Sequence, residues 1–554
     1  MKKFISILLA VVMIFTVVTI TTGCNNDSGD PAPPGGGNDT PTGGGTDPVP
    51  PPQPPVPGGE VTTVTVSVWD DTGSFGAGDD PLYQYIQDRF GLAFEPMGLG
   101  WDNMNDQPLL WASANTLPDI IGGIAFVPGN PVWREWVDAG LVRSLPGDLS
   151  PWPSLDAIIS QSFVQDLNID GQTWFFPRVS VPAPEYDALA RGLINRKDWR
   201  EQLNIPVPVT EEDFINMWQA FVDNAAVLPG AADIVYGLLP GIIMFTHSYT
   251  FVGHGIHSTD WVWQDGGMIR PGYEEQALPA LSFLRRLWRE GLIDPDFITN
   301  TTWQANQDFA LGRAGTIIRQ VVPVHLNNIH IEWTQVNPDI DFVSAVEILE
   351  APRVPGITPV YMKGSGFWSE TMFSSRLDDA TMNKIMYFFD WLASEEGMNT
   401  MMFGFEGQDW EYQNGEVVML TPLNEDGNHL EAGDLYQFAA GGMRDLAVWS
   451  ADMLMWTNPN IPQGIRDMSN ARLQQILTGN TTYMWRDIRV AAISIDEIAE
   501  MGLPPLNDIF VEFLTDTSNT SDEDLWQQLR DRINSVGYPR AKELMTAAAR
   551  EILG

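Results

Sequence analysis

Cysteine is nearly missing from the chain: Cys24 is the only one among 554 residues. A single thiol excludes a disulfide framework and any zinc or iron–sulfur site built on cysteine pairs. Positive charge is also short, with 30 Lys+Arg against 72 Asp+Glu and a formal net charge of −42. Binding to nucleic acid, or directly to an anionic membrane surface, needs basic patches that this balance denies. Lysine is scarcer than arginine, standing only at 2, 3, 197, 363, 384 and 542. That bias fits genomic base composition, or an alkaline exterior where arginine keeps its charge. Catalytic signatures are absent too: no nucleophile elbow, no H-E-x-x-H, no Walker loop and no G-x-G-x-x-G opening a helix after a strand. His254 and His257, three apart in a glycine-containing stretch, are too sparse for a metal site, so neither a metal ion nor a cofactor is expected.

What is present begins with an export signal. Lys2 and Lys3 precede an apolar run from Ile5 to Ile20, which gives way to Thr21-Thr22-Gly23-Cys24. A positive start, an apolar core and small residues before a cysteine resemble a bacterial lipoprotein signal, although Thr21 stands where leucine is usual. The expectation is removal of residues 1–23 and lipidation of Cys24, the membrane being touched only through that lipid. Residues 25–60 then carry 11 Pro and 9 Gly with no Lys, Arg or aromatic side chain. Such a segment cannot bury enough surface to offset its ordering entropy, so 24–60 reads as a disordered tether, reaching about 110 Å if fully extended.

The body opens as an α/β fold. Val64, Val66 and Val68 alternate with Thr and Ser from Val61 to Trp69, the period of a strand. A Gly-rich loop follows, and Asp80-Pro81 then caps a helix with Leu82, Tyr85 and Ile86 at helical spacing. In such folds ligands bind beyond the carboxyl ends of strands, which makes Trp69 and Asp70 candidates. Thr210 with Asp213 marks a second helix, and apolar stripes at 278–288 and 383–393 mark two more. Tryptophan outnumbers tyrosine 21 to 12, and flat rings suit the apolar faces of sugars. Trp69, Trp101, Trp174, Trp303, Trp368 and Trp456 do not all lie on helical stripes, and some of them are expected to line a cleft. His254 sits in a glycine-flanked loop, and Arg319, like Arg178, is placed to pair a carboxylate or to serve as a structural partner.

Several stretches, in order, carry a resemblance: ASANTLPDII (112–121), DGQTWFFPR (170–178), GLINRKDWREQLNIPVPVTEEDF (192–214), RRLWREGLIDPDF (285–297), ALGRAGTI (310–317) and DWLASEEG with FGFEGQDWEYQNGEV (390–417). Together they resemble the family 1 extracellular solute-binding proteins of ABC importers, in particular the large lipoprotein subgroup that serves oligosaccharide uptake in Gram-positive bacteria. The resemblance implies a two-lobed type II periplasmic-binding fold with hinge crossings and a ligand cleft between lobes. It implies an oligosaccharide ligand, ABC permease subunits as partners, no catalysis, a monomer, and a place on the outer face of the cytoplasmic membrane. Where relatives often carry a calcium loop, this chain reads DNAAVLPGAADIV (223–235), so calcium is not carried over. The expected first lobe is 61–188 plus 315–360, and the second is 189–314 plus 361–554. Trp69, Trp174 and Trp368 would then supply stacking rings from both lobes. A surface glycan sensor or adhesion lipoprotein would share this fold, whereas a glycoside-active enzyme would need a carboxylate pair that sequence does not single out.

Overall fold

A computed structural model of the chain describes residues 59–553, apart from 70–78, 101–102, 105, 125–130, 241–249, 257–260, 364–365, 425–426, 480–481, 486–487, 492 and 494. The export signal, Cys24 and nearly all of the Pro/Gly-rich segment lie outside the described residues. Ten strands form two separate sheets: β1 (Thr62–Trp69), β2 (Leu92–Leu99), β3 (Ile120–Ile124), β4 (Val142–Arg143), β5 (Phe176–Val179), β6 (Gly192–Arg196), β7 (Tyr236–Leu239), β8 (Ala314–Arg319), β9 (Val346–Leu349) and β10 (Phe367–Ser374). The first sheet is six-stranded, in the order β2-β1-β3-β10-β4 with β5 also on β10. β1 is parallel to β2 and β3, while β10 returns antiparallel to β3, β4 and β5. The second is four-stranded, in the order β9-β6-β8-β7, with β7 parallel to β8 and β6 antiparallel to both β8 and β9.

Each sheet has its own apolar core. Val64, Val66 and Val68 of β1 are buried together with Ile86, Ile120, Met372, Phe388 and Phe389. Ser67, on the opposite face of β1, is buried as well and donates to the Gly122 carbonyl at 2.7 Å. The strand is therefore covered on both sides, as central parallel strands are. Gly122 answers a close approach: a Cβ there would lie 2.5 Å from Leu446 and 2.8 Å from the Ser67 carbonyl oxygen. The second core gathers Leu193, Ile194, Trp199, Trp218, Leu238, Ile317, Trp333, Phe510 and Trp526.

The helices start where capping chemistry placed them. α1 (Pro81–Phe90) begins after Asp80, whose Oδ1 accepts from the Leu82 and Tyr83 amides at 2.9 Å, while Oδ2 accepts from Phe438 at 3.1 Å. α2 (Glu211–Asp223) carries the reciprocal Thr210–Asp213 capping box. α3 (Leu278–Arg289), α4 (Thr302–Ala310), α5 (Pro323–Val336) and α6 (Asp379–Leu392) follow. The loop after α2 is held by protein groups: Arg196 Nη2 and Trp199 Nε1 donate to the Pro229 carbonyl at 2.5 and 2.8 Å.

The lobe boundaries differ from expectation. Residues 315–360 do not return to the first lobe, because β8 and β9 pair with β6 and Ile317 to Tyr361 pack in the second core. The stretch 361–554 is divided: Phe367 to Ala447 join the first core, and the second resumes at Met455. A period-2 apolar pattern announces a strand but not its partner, which is why sequence misplaced both returns. The chain thus passes between the two cores three times, within 180–187, 362–366 and 448–454.

Candidate ligand-binding site

Strand register places one edge of each sheet beside these passages. In the first sheet β1 ends at Trp69, β2 at Leu99 and β3 at Ile124, while antiparallel β10 begins at Phe367 opposite Val179, the last residue of β5. In the second, β8 ends at Arg319 opposite Gly192, the first residue of β6, and β9 ends at Leu349 opposite Leu193. The three passages are stitched at the first of these edges. Ser180 donates to the Gly366 carbonyl at 3.2 Å, and Trp449 donates to the Val179 carbonyl at 2.9 Å. Carboxyl-terminal strand edges at such a crossing are where α/β sheets take ligands.

The first-lobe edge carries a ladder of one guanidinium and two indoles. Arg178 is buried on β5; its Nε donates to the Asp445 carbonyl at 2.7 Å and its Nη1 to Ser369 Oγ at 3.0 Å. Its Cζ stands 4.2 Å from the centroid of Trp449. Trp449 in turn lies 5.4 Å from Trp368 and donates Nε1 to the Trp368 carbonyl at 2.9 Å. Ser369, with φ of 68°, sits where β10 bulges between Phe367 and Glu370. This left-handed residue breaks the alternation of β10, and Trp368 is left 40% exposed beside a buried Glu370. Burial pushes the Glu370 carboxyl well above the usual range. It also pulls Arg178 down to about 10. Asp452, partly buried in the third passage, is pushed up to about 7 by burial and by Asp445.

The second-lobe edge carries positive charge. Arg319, at the end of β8, is buried, and its Nε and Nη1 have no hydrogen-bond partner. Arg191, just before β6, and His325, in the first turn of α5, lie near enough to feel its charge. Burial lowers both arginines to about 10, and burial with the two neighbouring cations lowers His325 to about 4. Trp303, in the first turn of α4, is 60% exposed. α4 ends four residues before β8 and packs against it.

Of the residues nominated from sequence, Trp368 and the backbone of Trp69 stand at the first edge and Arg319 at the second. The Trp69 ring, Asp70 and Trp101 lie outside the described residues. Trp456 is half-buried at the third passage, its ring 4.9 Å from Tyr186 of the first. Two placements are corrected. Trp174 precedes β5, at the opposite end of that strand from Val179; its Nε1 donates to the Ile169 carbonyl at 3.2 Å and its ring packs on the first core. His254 is buried with both ring nitrogens engaged, Nδ1 with the Thr250 carbonyl at 3.0 Å and Nε2 with Glu211 at 3.1 Å. Trp368 also belongs to the first lobe, so Trp69, Trp174 and Trp368 do not divide between lobes. Sequence reading missed Trp449 and Arg191, neither of which stands in a motif, whereas Trp303, singled out there, is 60% exposed.

No protein-family model matches the chain. By sequence it is similar to the polygalacturonan/rhamnogalacturonan-binding protein YtcQ of Bacillus subtilis, 23% identical over 315 residues, which are 56% of this chain and 59% of that protein. It is also similar to lipoprotein LipO of Bacillus subtilis, 22% identical over 310 residues, 52% of this chain and 57% of that one. The chain thus spans less than two thirds of the length of either relative. An HMO-binding, ABC-transporter-associated solute-binding protein of Bifidobacterium longum infantis superposes with a TM-score of 0.64 at 16% identity, covering 88% of this chain and 98% of that chain. The likeness shows the fold, which is that of two-lobed solute-binding proteins. YtcQ and the Bifidobacterium protein are both named for binding.

Proposed function

We propose that this chain is the capture component of an ABC importer, held on the outer face of the cytoplasmic membrane by a lipid on Cys24. It takes an oligosaccharide between its two lobes and presents the closed form to permease subunits, ATP being hydrolysed elsewhere. The observation that carries this reading is structural. Two independent cores are joined by three adjacent passages, and an exposed indole, Trp368, stands on a supported platform at the edge the passages share. Two rigid bodies on such a link close on a ligand that touches both, shifting an open population to a closed one. The relatives named for polygalacturonan and HMO binding put oligosaccharides first among ligands. The protein acts as a monomer, and binding, not turnover, is its activity.

The test is a glycan panel read by thermal shift, with small-angle scattering on the best binder. Ligand at ~100 times its dissociation constant should stabilise the folded state by about 2.7 kcal/mol, and the radius of gyration should fall. Stabilisation without compaction would leave binding but remove lobe closure. Release of new reducing ends from the glycan would instead make the protein an enzyme. For the anchor, Cys24→Ser should move the protein from the membrane fraction to the medium with an unchanged melting temperature. Retention of that variant in the membrane fraction would point to an uncleaved apolar segment.

A further inference from the structure

Among the described residues Glu370 alone keeps both carboxyl oxygens buried without a hydrogen-bond partner. The residue is 0% exposed, in the middle of the first sheet. Its ladder partners, Ile124 on β3 and Pro177 on β5, have no side-chain donor to offer. Trp133 Nε1, on the helix Pro131–Asp138, faces the carboxyl without reaching hydrogen-bond geometry.

Arg178 is close at hand and declines it. Arg178 follows Pro177 in the chain, and its Nη1 donates to the Oγ of Ser369, the residue before Glu370, at 3.0 Å. Its Nε takes the Asp445 carbonyl at 2.7 Å. A carboxylate binds a guanidinium roughly twice as strongly as neutral acceptors such as these do. An arginine that prefers a hydroxyl and a carbonyl beside a glutamate is facing an uncharged acid. Burial acts in the same direction, holding the Glu370 carboxyl well above the usual range. The guanidinium is thereby left flat beneath Trp449, 4.2 Å from its centroid, and Trp449 holds the Trp368 carbonyl at 2.9 Å.

The other charges nearby are turned elsewhere. β3 carries none, and Arg134, Glu135 and Asp138 on the Trp133 helix are exposed. Arg143 of β4 pairs with Asp379 at 2.8 Å, while Lys384 and Asp390 of α6 bond Glu60 and Ser154. The segment before Trp449 packs on β10 through Thr371 Oγ1, which donates to the Leu446 carbonyl at 2.9 Å. It brings Asp445, which accepts from the Ser450 amide at 3.0 Å, and Arg444, 3.5 Å from Asp445. Asp445, like Asp452 of the third passage, acts on Arg178.

We propose that Glu370 is a positioning residue for the indole platform: uncharged, it leaves Arg178 under Trp449, and ionised, it draws Arg178 away. Glycan affinity is then coupled to pH, and rising pH loosens Trp449 and Trp368 together. The proposal rests on the capture reading above, in which Trp368 meets the glycan.

The experiment is calorimetric titration of the full-length mature protein with maltotriose, mannotriose, cellotriose and trigalacturonate across a pH series. None of these probes titrates above about pH 5. Affinity for those that bind should fall with rising pH, by up to about tenfold per pH unit once Glu370 ionises, because only the uncharged form is competent. Glu370→Gln should abolish this slope, and Glu370→Met serves if the glutamine variant does not fold. Asp452→Asn should retain the slope. A second measurement needs no glycan. The near-ultraviolet dichroism of the indole pair, taken as wild type minus Trp449→Phe, should fade over the same pH interval and persist when both chains carry Glu370→Gln. A wild-type affinity that does not change with pH, a slope that survives in the Glu370 variants, or one that vanishes in Asp452→Asn overturns the proposal. If no probe binds while the dichroism follows Glu370, the positioning role stands and the capture reading falls. If probes bind and the dichroism stays flat, the reverse holds.

Discussion

Arg178 and Arg319 stand one at each sheet edge, both buried and both lowered to about 10 by burial. Their surroundings differ. Arg178 spends its donors on the Asp445 carbonyl and on Ser369, and its flat face supports Trp449. Arg319 leaves Nε and Nη1 bare among cations. The first arginine is used up inside the protein: it fixes three chain segments and holds an indole platform in place. The second keeps two buried donors without an acceptor, at some cost to stability. Burial alone therefore does not tell two buried arginines apart; the count of satisfied donors does.

If that distinction is right, the two edges should respond in opposite ways. The largest effect is expected at the first. Arg178→Gln leaves Ser369 and the Asp445 carbonyl without a donor and Trp449 without its support, a loss of roughly 3–5 kcal/mol of stability by denaturant unfolding. A loss below about 1 kcal/mol would mean that the ladder is incidental. At the second edge, the folded pKa of His325 near 4 lies below its ordinary value of 6.5. Between those values the unfolded chain holds a proton that the folded chain lacks, so stability falls as pH drops from 6.5 to 4, by at most about 3 kcal/mol. His325→Gln should flatten that limb. Asp452 works in the other direction. Its folded pKa near 7 exceeds the ordinary 3.8, so the folded state keeps a proton that the unfolded chain has lost. Stability therefore falls as pH rises from 4 to 7, by roughly 2 kcal/mol once partial exposure is allowed for. Asp452→Asn should be more stable than wild type at pH 8, and an unchanged melting temperature there would remove Asp452 from the hinge electrostatics. The smallest effect concerns the exposed ring. Trp368→Ala should weaken the best glycan five- to tenfold, about 1 kcal/mol, with little change in stability. Trp174→Ala, at the far end of β5, should leave affinity within about twofold, and calorimetry on both variants ranks the two rings.

Local chemistry was legible without the fold. Asp80-Pro81 and the Thr210–Asp213 box start helices because a capping oxygen and a fixed proline φ act within four residues. Val64, Val66 and Val68 declare a strand because side chains alternate at every residue. Trp368 stood out in sequence because an indole off any stripe has few core positions to fill, and it is 40% exposed. Trp174 passes the same filter yet packs on the first core, since nothing within its own segment reveals which end of β5 meets the passages. His254 failed because its partner, Glu211, lies 43 positions away. Trp449 was invisible for the same reason: its meaning comes from Arg178 and Trp368, each on a different segment.

The sequence by itself thus determined the α/β class and the start of each well-capped helix, since both rest on composition and short-range contacts. Only the tertiary structure decided which strands share a sheet, where the chain passes between cores, and which of two buried arginines still has donors to offer. Those depend on contacts between residues hundreds of positions apart, as when Arg178 reaches Asp445 or Val360–Lys363 pairs with Thr482–Trp485. Loop closure over such distances costs little more than over short ones, so the pattern within a segment carries no record of the partner it will find.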